Sequence, residues 1–335
     1  MNQPQEKTVE PTTAKVSFYE KHKIIYAKRV RGYFDNWRIL LVAFTQVLFY
    51  GGLWLTWNDR QAILLHLVER KFYIFGVVFW PQDVIYLAAL LIVSAYALFL
   101  VTAVAGRLFC GYACPQTVYT QIFMWIENAV EGDRNARLKL DKAPMSARKF
   151  RIKATKHLLW GIVGLWTGFT LVGYFTPVQE LINNVLTGQL GPWETFWIFF
   201  YGGFTILMAG FMREQVCKHM CPYARFQSVM FDPDTMIITY DEERGEPRGA
   251  RKKNADPNAP RLGDCVDCNQ CVIVCPTGID IRKGLQYECI GCAACVDICD
   301  QVMDKVGLPR GLVRYSTESA MAKHLSKKEI VAHIV

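Results

Sequence analysis

Cys265-Val-Asp-Cys268-Asn-Gln-Cys271-Val-Ile-Val-Cys275-Pro276 and Cys289-Ile-Gly-Cys292-Ala-Ala-Cys295-Val-Asp-Ile-Cys299-Asp300 are two runs of one design, C-x2-C-x2-C-x3-C. This is the bacterial two-cluster ferredoxin spacing, in which three closely spaced thiolates hold one 4Fe-4S cube and the fourth cysteine ligates the other. The expected ligation therefore crosses over. Cys265, Cys268, Cys271 and Cys299 hold one cluster, and Cys289, Cys292, Cys295 and Cys275 hold the second. Asp300 stands where the second run would have a proline, a departure that leaves every ligand in place. Zinc knuckles fit poorly, because they pair two C-x2-C units across a longer spacer. A disulfide framework needs an oxidising compartment, which the topology below denies.

Outward from this domain, the chain of 335 residues is 52% hydrophobic. Four charge-free windows are long and apolar enough to cross a bilayer: Ile39 to Trp57, Val84 to Val104, Leu158 to Phe175 and Phe196 to Met212. The first begins after a polar stretch, so it reads as an anchor and not as a cleavable signal. Basic residues set the orientation. The N-terminal segment carries seven, from Lys7 to Arg31, and the loop between the second and third windows carries ten, from Arg107 to Lys156. Thr176 to Thr195 has none, and Asn58 to Asp83 has only Arg60, Arg70 and Lys71. The positive-inside rule places both termini and the central loop in the cytoplasm, with the cysteines on that side or at its boundary. Anionic lipid headgroups then account for the net charge of +8, and nucleic acid is not implied.

The expected fold is a mostly α membrane protein: four transmembrane helices in two repeated hairpins, plus a cytoplasmic α+β bacterial-type two-cluster ferredoxin domain. Its parts are an N-terminal segment (1–36), a transmembrane core (37–230) with a cytoplasmic loop (106–156), a linker (231–260), the ferredoxin domain (261–315) and a basic C-terminal segment (316–335). Phe72 to Pro81 is apolar but too short to span, and is expected to lie on the membrane or re-enter it. Val118 to Ala129 reads as an interfacial helix, Thr235 to Tyr240 as a strand, and Asp241 to Pro260 as a charged linker rich in Gly and Pro.

The other four cysteines form an internal repeat. Cys110-Gly-Tyr-Ala-Cys114-Pro115 follows the second window and Cys217-Lys-His-Met-Cys221-Pro222 follows the fourth. Residues four apart share a helix face, so each pair is expected to point two thiols at one ligand, while the proline ends one helix or starts another. Soft thiolates select Cu(I), zinc or an iron–sulfur centre; the alternative is four reduced thiols that merely pack. His219 is a further candidate nitrogen ligand, although the first motif has no counterpart.

Gly106-Arg-Leu-Phe-Cys-Gly-Tyr-Ala-Cys-Pro-Gln116, Tyr240-Asp-Glu-Glu-Arg-Gly-Glu-Pro-Arg248, Leu285-Gln-Tyr-Glu-Cys-Ile-Gly-Cys-Ala-Ala-Cys295 and Arg310-Gly-Leu-Val-Arg-Tyr-Ser-Thr317 resemble the FixG/RdxA/CcoG family of cytochrome c oxidase accessory proteins. The resemblance runs from about Phe18 onward. It implies a cupric reductase of the bacterial inner membrane that supplies Cu(I) for assembly of cbb-type oxidases. On that reading Cys110, Cys114, Cys217 and Cys221 serve copper binding or reduction, with copper as substrate or bound ion. A further span and a periplasmic immunoglobulin-like domain are expected beyond this chain. The implied partners are copper-chaperone or oxidase-assembly proteins, membrane lipid, and an electron donor, either a cytoplasmic protein or a quinol, since no Rossmann-type glycine motif is present. Two other functions share these features: a quinol dehydrogenase-type electron-transfer subunit, and a non-catalytic copper-binding assembly chaperone.

Overall fold

The computed structural model describes residues 25–250, 262–325 and 329. Helix α1 (Tyr33–Gly52) leads into short strands β1 (Thr56–Trp57) and β2 (Arg60–Gln61) and an antiparallel sheet of β3 (Ile63–His66), β4 (Lys71–Ile74) and β5 (Val77–Phe79). Next come α2 (Val84–Ala105), α3 (Leu108–Tyr112), α4 (Pro115–Val130), α5 (Arg134–Lys142), α6 (Ala147–Gly173), α7 (Val178–Thr187) and α8 (Pro192–Thr205). The last continues as a π-helix, Ile206–Met212, and a second π-helical turn, Val216–Met220, precedes α9 (Pro222–Met230). The ferredoxin part contains β6 (Ile237–Tyr240), α10 (Glu242–Gly245), α11 (Gln270–Val274), α12 (Ala294–Val306), β7 (Val313–Ser316) and α13 (Glu318–Ala322).

Among the described residues, two helical stretches are long and apolar enough to span a membrane: Pro81–Ala105, with mean hydropathy 2.6, and Pro192–Met212, with mean hydropathy 1.5. α2 is apolar on every side and only Thr102 is buried, a surface that water solvates poorly. It packs chiefly through its last turn, onto α3 and α9, so the first pair of windows is not the packed hairpin expected. The strands between α1 and α2 separate them. The second pair does pack: α6 and α8 meet backbone to backbone, and a Cβ on Gly168 would lie 2.2 Å from the Ile198 carbonyl oxygen. Small residues at such a crossing allow the close approach that membrane helices use.

Several expectations change. The first window starts within α1, which begins at Tyr33 with buried Asp35 and Arg38, and it ends beyond the helix, since Leu53 to Trp57 turn into β1. The third window is the latter part of α6, a helix of 27 residues whose first turns carry Arg148, Lys149, Arg151, Lys153 and Lys156. Phe72 to Pro81 takes strand form as far as Phe79. Its alternating aromatic and β-branched residues pair as β4 and β5, with Phe72 opposite Phe79. The interfacial helix exists as α4, but Phe123 is fully buried and stacks on Trp160 of α6 at 5.1 Å, so α4 is part of the helical core. The first part of the expected linker is fixed by Arg244, which pairs with Asp264 at 2.5 Å and donates to the Arg310 carbonyl; residues 251–260 lie outside the described residues. The expected strand is confirmed as β6, paired antiparallel with β7.

Helix and ferredoxin parts interlock. Gly32, the N-cap of α1, offers no side chain, and Asp297 of α12 takes its place: its carboxylate accepts from the Phe34 amide at 3.2 Å and the Asp35 amide at 2.9 Å. A cap supplied from 262 residues away ties the first helix to the domain it approaches. Asp297→Ala is expected to cost about 1–2 kcal/mol. A thermal melt followed through the visible absorbance of the clusters would read this as a lowered midpoint; an unchanged midpoint would deny the cap any role.

Candidate metal centres

The two cysteine runs fold alike. Asp267 and Asn269 in the first, and Gly291 and Ala293 in the second, all take positive φ, at 51°, 54°, 67° and 57°. In each run the residue before and the residue after the second cysteine is left-handed, and a short or longer helix, α11 or α12, starts just beyond. Backbone that alternates handedness turns successive N–H groups toward one concavity, the arrangement that receives anions and iron–sulfur centres. Gly291 is required by more than its φ, because a Cβ there would meet the Arg107 carbonyl oxygen at 3.0 Å.

Two cavities accompany the loops. One is lined by Cys265, Cys268, Cys271 and Cys299, together with Tyr240 and Leu312. The other is lined by Cys275, Cys289, Cys292 and Cys295, together with Cys271, Ile281 and Ile290, and has almost no polar wall. Each therefore contains the complete set of four thiols that the crossed spacing calls for. Burial pushes the thiols of Cys289 and Cys299 up to about 12 and that of Cys271 to about 11. Thiolates are costly in such surroundings unless a metal charge offsets the desolvation. All twelve cysteines are free thiols. Among the described residues no three His, Cys, Asp or Glu side chains converge closely enough to hold a single ion, so these thiols ring cavities and do not meet at a point. The donor set and the enclosure fit 4Fe-4S clusters.

The C-x3-C-P pairs are built differently from the single helix face expected. Cys110 lies in α3, whereas Cys114 is the extended N-cap of α4 (ψ 127°) with Pro115 at the first helical position. Likewise Cys217 lies in the π-helical turn, and Cys221 is the extended N-cap of α9 (ψ 111°) ahead of Pro222. Proline has no N–H to lose at a helix start, so it begins a new helix here and puts the second cysteine at the break. Both pairs nevertheless come together: Cys110 and Cys217 pack on one apolar group, Cys110 donates to Gln227 of α9, and after burial the neighbouring Cys114 and Cys221 are among the groups that raise both thiols. Burial raises Cys110 to about 11 and Cys217 to about 12. His219 is exposed, whereas the four cysteines are partly buried.

The membrane-proximal thiols lie against the second cluster cavity. Cys110 and Cys217 pack on the same apolar group as Ile290, Cys292 and Ala294. α3 sits on the Cys289–Cys292 loop so closely that a Cβ on Gly111 would be 2.8 Å from the Gly291 carbonyl oxygen. Three side chains clamp the carbonyls of that loop: Arg107 donates to Cys289 at 3.3 Å, Tyr315 to Gly291 at 2.6 Å, and Arg38 to Cys292 at 3.5 Å. Cys110 Sγ donates to Gln227 Oε1 at 3.3 Å, and Arg107 also donates to the Ala224 carbonyl at 2.5 Å, which joins the two repeats. Farther out, Glu127 pairs with Arg213 at 2.5 Å and Arg137 at 3.1 Å, and Glu131 with Lys153 at 2.8 Å and Lys156 at 3.1 Å.

Sequence reasoning passed over Arg107, Arg38, Tyr315 and Gln227. Arg107 was legible only as one more basic residue after an apolar helix, but it is buried, as are Arg137 and Lys156 among the same loop charges. The available signal was its place inside the Gly106 to Gln116 string, three residues before Cys110.

Comparison with known proteins follows the same division. A 4Fe-4S dicluster domain model matches residues 212–318, and a 4Fe-4S binding domain model matches residues 87–131. Nitrogen fixation protein FixG of Rhizobium meliloti is 42% identical over 324 residues, covering 95% of this chain and 62% of that protein. Protein RdxB of Cereibacter sphaeroides is 45% identical over 91% of this chain and 65% of its own length, and protein RdxA of the same organism is 40% identical over 89% and 63%. The chain belongs to the FixG/RdxA family. It carries 4Fe-4S domains of ferredoxin type, and it spans less than two thirds of the length of each of these three family members. No solved structure matches it.

Proposed function

We propose that this FixG/RdxA family chain is a membrane-bound reductase that passes electrons to Cu(II) at the thiols of Cys110, Cys114, Cys217 and Cys221 and delivers Cu(I) for assembly of a cbb-type oxidase. The observation that carries this reading is the packing of Cys110 and Cys217 on the apolar group that contains Ile290 and Cys292 of the second cluster loop. Bound at Cys265, Cys268, Cys271 and Cys299, and at Cys289, Cys292, Cys295 and Cys275, two 4Fe-4S clusters supply one-electron transfer. Each Cu(II) takes one electron. The thiols favour the product because Cu(I) is the softer ion. Gln227, buried and bonded to Cys110, holds that thiol in place.

In this reading α1, α2, α6 and α8 cross the bacterial inner membrane and the ferredoxin domain lies in the cytoplasm. Cysteine reporters at Val68 and Gln189 are then expected to react with an impermeant reagent from the periplasm, and one at Lys305 only after the membrane is opened. Labelling of Lys305 in intact cells would reverse the topology.

A quinol-oxidising subunit is the second reading, favoured by a cavity beside Cys217 and Ile290 whose wall includes Gln121, Met124, Arg213 and Thr277. Anaerobic protein reduced with dithionite and then desalted separates the two. Rapid reoxidation of the clusters by Cu(II), with ubiquinone slow, supports the copper reading, and the converse rates support the quinol reading. A chaperone without turnover would bind Cu(I) and leave reduced clusters untouched by Cu(II).

A further inference from the structure

Arg107 stands between the two chemistries. It is 5% exposed, and it follows directly on Gly106, the C-cap of α2, where the chain leaves the apolar span. One end of its guanidinium donates to the Cys289 carbonyl of the second cluster loop, and the other to the Ala224 carbonyl of α9. Burial lowers the pKa of its guanidinium, and the thiols of Cys110, Cys289, Cys217 and Cys221, once ionised, oppose that shift. Its third donor, Nε–H, is buried with no acceptor among the described residues. A buried guanidinium N–H without a partner is costly, and a site that carries negative charge would satisfy it.

We propose that Arg107 is a positioning residue that couples the thiol site to the second cluster, its charge shared by both and its unpaired Nε–H reserved for a metal-bound thiolate. The inference rests on the reading of these thiols as the copper site. A fixed cation beside a cluster favours the reduced, more negative state and so raises the potential; the same cation favours thiolate over thiol. The first cluster, ringed by Cys265, Cys268, Cys271 and Cys299, lies on a cavity whose walls receive neither of the two hydrogen bonds Arg107 makes, and it serves as an internal control.

The test uses the full chain with Arg107→Gln and Arg107→Lys, after iron and sulfide analysis. Redox titration followed by electron paramagnetic resonance, without copper, reads the two clusters separately. R107Q is expected to move the second cluster to lower potential and leave the first in place, and R107K to restore the wild-type value. Competition with a Cu(I) chelator is expected to show Cu(I) binding weakened roughly ten- to hundredfold in R107Q and less in R107K, which keeps the charge but not the fork. An unmoved second cluster in iron-replete R107Q, or an equal shift of both clusters, overturns the proposal. Should R107Q lose its iron, R107K decides: an unmoved second potential with weaker Cu(I) binding supports it, and unchanged binding overturns it. If wild-type protein binds no Cu(I), the copper reading fails, while the potential of the second cluster in R107Q still reports on Arg107.

Discussion

Serine at Cys110, Cys114, Cys217 and Cys221 together is expected to abolish Cu(I) binding at the membrane boundary while both 4Fe-4S clusters stay in place. The hydroxyl is a hard and poorly ionised ligand, so the exchange removes the soft donors and changes the packing volume little. Changing either pair alone is expected to have most of this effect, because the pairs lie within electrostatic reach of one another and each supplies only two thiols. His219→Ala is expected to do far less, since that side chain is exposed. Iron and sulfide content, Cu(I) competition and Cu(II)-driven reoxidation of reduced clusters measure the outcome. Full copper binding and full reduction in the four-Ser protein would make these thiols packing residues and move the copper site elsewhere.

The second large effect concerns cluster ligation. Cys275 is distant in sequence from Cys289, Cys292 and Cys295 yet lines their cavity, so Cys275→Ser is expected to damage the cluster of the second run. Cys299→Ser is expected to damage the cluster of the first run, because Cys299 lines the cavity with Cys265 and Cys268. Wild-type protein is expected to hold about eight irons and eight acid-labile sulfides per chain. Each variant is expected to lose about half, and electron paramagnetic resonance identifies which cluster survives. Loss of the first-run cluster in C275S would contradict the crossed assignment.

The ferredoxin domain was legible because its chemistry is local: thiols at fixed short intervals leave few other uses, and the same intervals force the left-handed residues Asp267, Asn269, Gly291 and Ala293. The apolar windows were legible as composition but not as elements. Hydropathy does not register where Gly51 and Gly52 end a helix, or that Lys71 to Phe79 prefers to pair as strands. The C-x3-C-P pairs were found, yet their geometry was misread, since the helical spacing of Cys110 and Cys114 suggested one face and Pro115 in fact starts a new helix between them. What stayed hidden depends on contacts distant in sequence. The Asp297 carboxylate that caps α1, the Arg107 guanidinium on the Cys289 carbonyl and the Tyr315 hydroxyl on Gly291 have no periodicity to betray them. The same contacts bring two separate motifs against one another.

The central claim is that electrons held by this chain leave it on copper. Protein reduced anaerobically, freed of excess dithionite and mixed with Cu(II) in the presence of a Cu(I)-specific chromophoric chelator provides the direct measurement. With two one-electron clusters, about two Cu(I) are expected per chain, appearing in step with the return of cluster absorbance and lost in the four-Ser protein. Clusters that remain reduced while Cu(II) persists would contradict the claim.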